Sequence, residues 1–168
     1  MFLQIAVKKG RGILKRIPPI VILSFVASFT AWSAQSGDDI IGRWYNEEHD
    51  GLIEIFKCEN KYCGKVVWSK NPNYPQEDKG GRAGEPRVDD NNPDPSLRNR
   101  PIIGLQIMTG FVYSAEDQQW KQGKVYDPKN GKTYSGYITL VSPYKMSLRG
   151  YVLIPLFGRS TTWTRQPR

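Results

Sequence analysis

The sequence predicts an all-β protein with one domain, built as an antiparallel barrel or sandwich of about eight strands. Its 168 residues suit a single domain or at most two small ones. From Gln35 onward, apolar residues at helical spacing never persist for three turns. Short strand-like runs recur instead, and turn residues separate them. With 39% hydrophobic and 24% charged residues, the composition is globular and excludes a largely disordered chain.

The predicted strands are eight short runs rich in β-branched and aromatic residues. They are Ile40–Tyr45, Leu52–Lys57, Lys65–Trp68, Ile102–Tyr113, Gln119–Tyr126, Thr133–Val141, Met146–Ile154 and Gly158–Thr164. The strongest hairpin signal is Asp127–Gly131, because Pro128 restricts one turn dihedral and Asn130-Gly131 accepts positive φ. Further breaks are expected at Pro143 and at Pro155.

Alternating polarity indicates that the later strands bury one face, as the wall of a barrel does. Along Thr133–Val141 the apolar face carries Tyr134, Ile138 and Leu140. Along Met146–Ile154 one face carries Met146, Leu148, Val152 and Ile154.

Residues 1–34 have the three-part layout of a secretory signal peptide. The basic segment Met1–Arg16 precedes the uncharged run Ile17–Gly37, and small residues follow at Ala31, Ser33 and Ala34. We expect cleavage within a residue or two of Ala34, so that residues 35–168 form a single β-barrel domain that is exported, periplasmic or secreted. The alternative is an uncleaved anchor, since the uncharged run is about as long as a spanning helix needs.

The charge distribution argues against a nucleic-acid partner. The chain carries a net charge of +8, but five of its 24 basic residues lie in residues 1–34, which contain no acidic residue. Residues 35–168 therefore carry a net charge of only +3, too little for a strong electrostatic footprint. Contact with a membrane is expected only if the N-terminal segment stays uncleaved.

Two cysteines, Cys58 and Cys63, predict an intrachain disulfide, because an even cysteine number in an exported chain favours pairing. Their flanks look like strands, so the bond would close a hairpin and contribute on the order of 2 kcal/mol. A metal site would need more ligands, and His49 is the only histidine. We predict no metal and no cofactor.

The segment Asn71–Pro101 interrupts the rhythm of strands with six prolines and three glycines. A loop of this length is usually functional or disordered. It alternates oxygen ligands as calcium loops do, at Asp90, Asn92 and Asp94. Prolines stand where such a loop needs Gly and Glu, so we expect these side chains to cap turns. We also expect Arg98 or Arg100 to pair with Asp89 or Asp90.

Several motifs occur together in a characteristic order and spacing. They are Cys63–Trp68, Asp90–Asp94, Arg98–Leu105, Trp120–Pro128, Asn130–Tyr134, Leu148–Tyr151, Gly158-Arg159 and Thr162–Arg165. Together they resemble the bacterial exported family catalogued as domain of unknown function 2147, over nearly all of Gly42–Arg165. The resemblance implies a single antiparallel up-and-down β-barrel of about eight strands, lipocalin-like, with one long polar loop. It implies no activity and no functional residue.

Both ends of the domain support this architecture. Gly42-Arg43-Trp44 is similar to the Gly-x-Trp that begins lipocalin-type barrels, in which an arginine of the last strand packs over that tryptophan at the closed end. Arg165, two residues after Trp163, is placed to do so. The cation–π contact would contribute roughly 1–2 kcal/mol when desolvated. We therefore predict structural roles for Trp44, Trp163 and Arg165.

The interior of the barrel is the main candidate site, because an eight-stranded barrel is either filled by side chains or holds one small ligand. Trp68, Trp120 and Tyr126 are predicted to line such a cavity. Arg159 shares a strand face with Arg165 and lies nearly 20 Å away at ~3.3 Å per residue, toward the open end. There it would bind a carboxylate or phosphate. The alternatives are a salt bridge to a loop acid or an outward position.

The favoured function is an exported cell-envelope protein that holds a small apolar or amphipathic molecule in its barrel. The alternative is an interaction or structural protein whose loop 71–101 contacts an envelope partner. An enzyme is less expected. His49 lies beside Glu47, Glu48 and Asp50, but the sequence contains no nucleophile elbow, metal-ligand cluster or phosphate-binding glycine loop.

Overall fold

The computed structural model describes residues 35–167, so the predicted signal segment lies outside the described residues. Eight antiparallel strands follow one another around a closed barrel, and β1 pairs with β8 to complete it. The strands are β1 (Gly42–Tyr45), β2 (Gly51–Cys58), β3 (Lys61–Ser69), β4 (Gln106–Ser114), β5 (Gln119–Asp127), β6 (Lys132–Ser142), β7 (Lys145–Tyr151) and β8 (Gly158–Arg165). The prediction of an all-β, eight-stranded barrel is confirmed.

The described chain also contains three short helical turns, one before β1 and two in the connections between strands. These 3-10 helices span Gly37–Ile40, Pro95–Leu97 and Pro155–Phe157. Across residues 35–167, the structure contains no helix with the length and apolarity that crossing a bilayer would require.

Several strand boundaries differ from the prediction: β1 begins at Gly42 rather than Ile40, β3 begins at Lys61 rather than Lys65, and two further differences have local reasons. β4 begins at Gln106 rather than Ile102, because Ile102–Leu105 form a tight turn in which the Leu105 amide donates to the Ile102 carbonyl. β7 ends at Tyr151 rather than Ile154, because the chain turns away at once and Leu153 adopts a φ of 64°. Val152 and Ile154 therefore leave the predicted apolar face and are exposed.

The N-terminal 3-10 helix closes one end of the barrel. Its backbone carbonyls accept two buried indole groups: Trp44 Nε1 donates to Ile40 at 2.8 Å and Trp120 Nε1 donates to Gly37 at 2.9 Å. The Tyr62 hydroxyl donates to the Asp38 carboxylate at 2.7 Å. These bonds join the helix to three different strands and leave this end filled.

Arg165 covers Trp44 at this closed end, as predicted. The guanidinium carbon lies 4.2 Å from the centre of the Trp44 ring, and the two residues are register partners of β8 and β1. The same guanidinium donates to the backbone carbonyls of Asp39, Ile41 and Pro143. One side chain thus ties the last strand to the first strand, to the N-terminal helix and to the β6–β7 turn.

The predicted disulfide is also confirmed. Cys58 and Cys63 are bonded, with their Cα atoms 5.9 Å apart, across the hairpin between β2 and β3.

The long loop is ordered by a buried carboxylate. Asp89 is fully buried and accepts hydrogen bonds from Tyr126 Oη at 2.5 Å, Asn92 Nδ2 at 2.7 Å and Arg100 at 3.0 Å. Its ion pair with Arg100 is one of those predicted. Asn91 Nδ2 donates to the carbonyls of the β5–β6 turn. These contacts attach the loop to the wall of the barrel.

Candidate functional site

The connections that lie opposite the closed end surround an open cavity. In an antiparallel barrel successive connections alternate between the two ends, so the β1–β2, β3–β4, β5–β6 and β7–β8 loops share the open end. The cavity has a volume of about 730 Å³. This volume lies within the range of roughly 300–1,000 Å³ that is common for small-molecule sites.

The floor of the cavity is apolar and comes from six strands. It consists of Ile53, Val66, Ile107, Val125, Leu148 and Trp163. The Trp163 indole donates to Thr161 Oγ1 at 3.1 Å, and the Thr161 hydroxyl donates to the Leu148 carbonyl. Because these polar groups satisfy each other, the deep part of the cavity offers mainly hydrocarbon and aromatic surface.

The rim of the cavity carries paired charges. Lys129 Nζ lies 3.0 Å from the Asp50 carboxylate, and Arg159 lies 3.0 Å from Glu47. Partial burial raises the pKa of Asp50, but hydrogen bonds from Asn46 and Lys129 outweigh it and hold that pKa below its usual value. The bond to Asp50 raises the pKa of Lys129. Both members of this ion pair therefore stay charged at neutral pH.

Two of the predicted ligand-binding residues line this cavity. Tyr126 lies in its wall, where burial and the hydrogen bond to Asp89 raise its pKa to about 12. Arg159 lies at the rim, on the same face of β8 as Thr161 and Trp163, but its guanidinium is exposed and pairs with Glu47. The salt bridge to a loop acid, given as the alternative, is the arrangement found.

Trp68 corrects the prediction, because it lies on the outer surface. Ile53 pairs with Val66 and the preceding Leu52 pairs with Trp68, so Val67 is an extra residue in β3. Such a bulge shifts the alternation of the side chains. Trp68 is consequently 43% exposed and packs edge-on against Tyr45 outside the barrel.

Trp120 requires a second correction, because it belongs to the core of the closed end. It is fully buried and packs against Tyr113 and Tyr62, with ring centres 4.9 and 6.4 Å away. Trp120 stands at the beginning of β5, and β5 begins at the closed end. Its position along the strand therefore keeps it away from the cavity.

The floor residues were not identified as site residues from the sequence. Trp163 was expected only as a structural residue, yet it lines the cavity. The signal that could have identified them is the alternation of apolar and polar side chains along β2, β4, β5 and β8. It shows which residues face inward but not which of them border empty volume.

The other candidate clusters are held by local contacts. His49 stacks on Tyr45 with ring centres 5.4 Å apart, and its Nε2 lies 3.2 Å from Thr164 Oγ1. Asp90 binds Tyr74 and Arg82, and Asp94 caps the Pro95–Leu97 helix through Ser96. In the described part of the chain, no three His, Cys, Asp or Glu side chains are grouped so that they could hold a metal ion.

Comparisons with known proteins agree with this architecture. Residues 42–165 match the model of a family described as "uncharacterized protein conserved in bacteria (DUF2147)". A solved structure, described as "Protein HP1028 from the human pathogen Helicobacter pylori belongs to the lipocalin family", is similar with a TM-score of 0.62 and 20% identity. The alignment covers 76% of this chain and 82% of that one, and at this identity it shows the fold alone. No curated protein matches the chain.

Proposed function

Since the chain belongs to the DUF2147 family of bacterial proteins and folds as a lipocalin-like barrel, we propose that it binds a small amphipathic molecule. The apolar part of the ligand occupies the barrel, and its polar part stays at the open end. The observation that carries this proposal is a cavity of about 730 Å³ with an apolar floor and a charged rim.

The division between floor and rim supports an amphipathic ligand rather than a polar one. A polar group placed against Ile53, Val66 and Leu148 would lose its water without gaining a partner, which is unfavourable. An apolar chain there gains roughly 25 cal/mol for each Å² that it removes from water. At the rim, Arg159 and Lys129 are within reach of a carboxylate or phosphate that replaces their acidic partners.

Binding without catalysis is part of the same proposal. The floor presents hydrocarbon and indole groups, and the hydroxyl of Thr161 is already hydrogen-bonded to Leu148 and Trp163. A general base or nucleophile would have to act from the rim, where Asp50 and Glu47 are engaged in ion pairs.

Cavity filling tests the proposal directly. Gly150 alternates with Met146 and Leu148 on the inner face of β7, and a Cβ added there would meet Tyr134 at an ordinary 3.6 Å. A Gly150→Phe substitution should place its ring in the cavity and weaken binding of a fluorescent fatty acid about tenfold or more. Gly150→Ala is the matched control and should bind nearly as the wild type does.

Native mass spectrometry of protein purified from its own host provides the second measurement. A retained small molecule that is absent from the Gly150→Phe variant would support the proposal. Unchanged fatty-acid affinity in a folded Gly150→Phe protein, with no retained ligand, would contradict it.

Export to the periplasm or the exterior is supported by the disulfide between Cys58 and Cys63, because disulfides persist in oxidising compartments. The chain isolated from that compartment should begin within a residue or two of Ala34. N-terminal sequencing checks this. An intact Met1 on exported protein would favour the membrane anchor over the cleaved signal peptide.

The second candidate function is contact between loop 71–101 and an envelope protein. The observation that favours it is the bracing of the loop by Asp89, since a preordered loop loses little entropy on binding. Crosslinking from exposed positions of the loop in intact cells would detect the partner. If this is the only function, filling the cavity with Gly150→Phe should leave the crosslink to the partner unchanged.

A further inference from the structure

The loop between β7 and β8 exposes six consecutive apolar residues, Val152–Phe157. Leu153 is 89% exposed, Leu156 is 76% exposed and Phe157 is 68% exposed. Scattered apolar side chains are normal on a protein surface, but a contiguous group indicates a contact with something apolar. Val152, Leu156 and Phe157 also line the mouth of the cavity.

Leu153 stands in a conformation that disfavours leucine. Its φ of 64° lies in the left-handed region, where glycine and asparagine are the usual residues. Its side chain is almost wholly in water, so the fold gains little from it. A strained and exposed leucine at the tip of a loop is typical of a functional contact.

The backbone of the loop is largely hydrogen-bonded within itself. The carbonyls of Val152, Ile154 and Phe157 accept from loop amides, and the Pro155 carbonyl accepts two hydrogen bonds from Arg149 at 2.9 and 2.7 Å. Pro155 has no amide to satisfy. Backbone groups that are already paired lower the cost of moving the loop into an apolar environment.

A positive charge stands beside this apolar tip. The Arg149 side chain is partly buried, and within residues 35–167 its guanidinium bonds neutral oxygens, those of Pro155 and Ser160. Its charge is therefore available to an anionic group, whereas Arg159 on the neighbouring strand pairs with Glu47. An apolar tip next to a cation matches the layered chemistry of a bilayer surface, with headgroups above acyl chains.

We propose that the Val152–Phe157 loop inserts into the surface of a lipid bilayer, with Arg149 at the level of the phosphate groups. A protein partner is the less favoured occupant, because the Arg149 charge beside the apolar tip complements the anionic headgroups of a bilayer. Insertion places the mouth of the cavity against the membrane, where amphipathic molecules reside. The membrane contact itself does not depend on the proposed ligand.

An added indole at the tip provides the test, with the expected mature chain, residues 35–168, mixed with vesicles of phosphatidylcholine and phosphatidylglycerol that carry brominated acyl chains. Phe157→Trp and Leu156→Trp change exposed side chains, so both variants should fold. The control is Tyr144→Trp, which changes an exposed residue in the β6–β7 turn at the opposite end. Bromine quenches only an indole that reaches the acyl region.

We expect the added fluorescence of Phe157→Trp and Leu156→Trp to be quenched and that of Tyr144→Trp to be unaffected. Adding Leu153→Asn and Leu156→Ser to the Phe157→Trp protein should raise the lipid concentration for half-quenching about tenfold or more. Absence of quenching at both tip positions, or equal quenching at both ends, would overturn the proposal. If quenching is absent at the tip, a protein is the expected partner of the loop instead.

Cavity filling by Gly150→Phe should leave the quenching unchanged, which separates this test from that of the proposed function.

Discussion

Arg165 connects several separate segments at the closed end of the barrel. It combines a cation–π contact with Trp44 and hydrogen bonds to three backbone carbonyls from two separate segments. Strand pairing between β1 and β8 is short, with only two register pairs. A side chain that joins these strands therefore contributes more to barrel closure than an ordinary surface arginine.

Replacing Arg165 by Ala should lower the free energy of unfolding by about 3 kcal/mol, because the substitution leaves carbonyls without their charged donor and uncovers Trp44. Urea denaturation measures the effect. Arg43→Ala, which breaks an exposed ion pair with Glu54 on the adjacent strand, is the control and should cost less than about 1 kcal/mol. Equal losses in the two variants would contradict the role of Arg165.

Two tyrosines should make stability fall at alkaline pH. Burial, followed by a hydrogen bond to a carboxylate, raises the pKa of Tyr62 and the pKa of Tyr126 from 10.0 to about 12. The folded protein keeps these protons to a higher pH than the unfolded chain does. Their stabilising contribution is therefore complete below about pH 10 and is lost as the pH rises through about 12.

The tyrosinate absorbance and the free energy of unfolding, measured across this range, check the prediction. The Tyr62→Phe and Tyr126→Phe variants should each lack one late-titrating tyrosine and show a shallower fall in stability. A fall of unchanged steepness in both variants would assign the alkaline transition to other groups.

At the scale of elements, the β2–β3 hairpin is the part of the barrel with a covalent tie. The disulfide encloses a short loop, so the entropy that it removes from the unfolded chain is modest. Replacing both Cys58 and Cys63 by Ser should lower the free energy of unfolding by about 2 kcal/mol. Unfolding with and without reductant should give the same difference for the wild type. Two titratable thiols in protein isolated without reductant would refute the bond.

The long loop depends on one buried carboxylate. Asp89 accepts from Tyr126 of β5, from Asn92 within the loop and from Arg100 where the loop returns. The loop also contacts the β5–β6 turn closely: a Cβ at Gly131, which has a φ of 69°, would overlap the Asn91 carbonyl oxygen. The loop and the wall of the cavity are therefore coupled through Tyr126.

Replacing Asp89 by Asn should loosen the loop at a cost of about 2–3 kcal/mol, because the amide leaves Arg100 without its counter-charge and presents an N–H group to donors. Limited proteolysis should cut residues 71–101 faster in this variant. Asp94→Asn lies in the same loop and keeps a good helix cap, so it should behave as the wild type does. Equal cleavage rates in the two variants would argue against this role of Asp89.

At the scale of the whole molecule, the barrel separates a packed closed end from an open end with a cavity. The N-terminal helix, Arg165 and Trp120 fill the closed end, whereas the opposite end leaves the cavity open. An amphiphile that binds the folded barrel and not the unfolded chain must stabilise it, by about 2.7 kcal/mol at a hundredfold excess over its Kd.

Thermal unfolding with a long-chain fatty acid checks this coupling. The wild type should show a rise in Tm that grows with fatty-acid concentration. Gly150→Phe should abolish the rise, whereas Arg165→Ala should keep the rise while starting from a lower Tm. A rise of the same size in Gly150→Phe would place binding outside the cavity.

The sequence by itself determined the strands and the disulfide, and its resemblance to lipocalin-type barrels added the closing contact. Strands follow from alternation and turn residues, which are local properties. The two cysteines were identifiable because they stand at the tip of a hairpin, whereas the contact of Arg165 with Trp44 was expected from the similarity of Gly42-Arg43-Trp44 to the start of lipocalin-type barrels. The pairing of Asp89 with Arg100 was within reach because both belong to one loop.

The cavity was decided only by the tertiary structure. One extra residue at Val67 turns Trp68 to the outside, and the direction of β5 places Trp120 at the closed end. The floor gathers one residue from each of six strands, and the space between them depends on the register and radius of the closed barrel. Alternation assigns a side chain to a face. Whether that face meets another side chain or an empty volume depends on partners distant in the chain, because packing is a property of the assembled barrel.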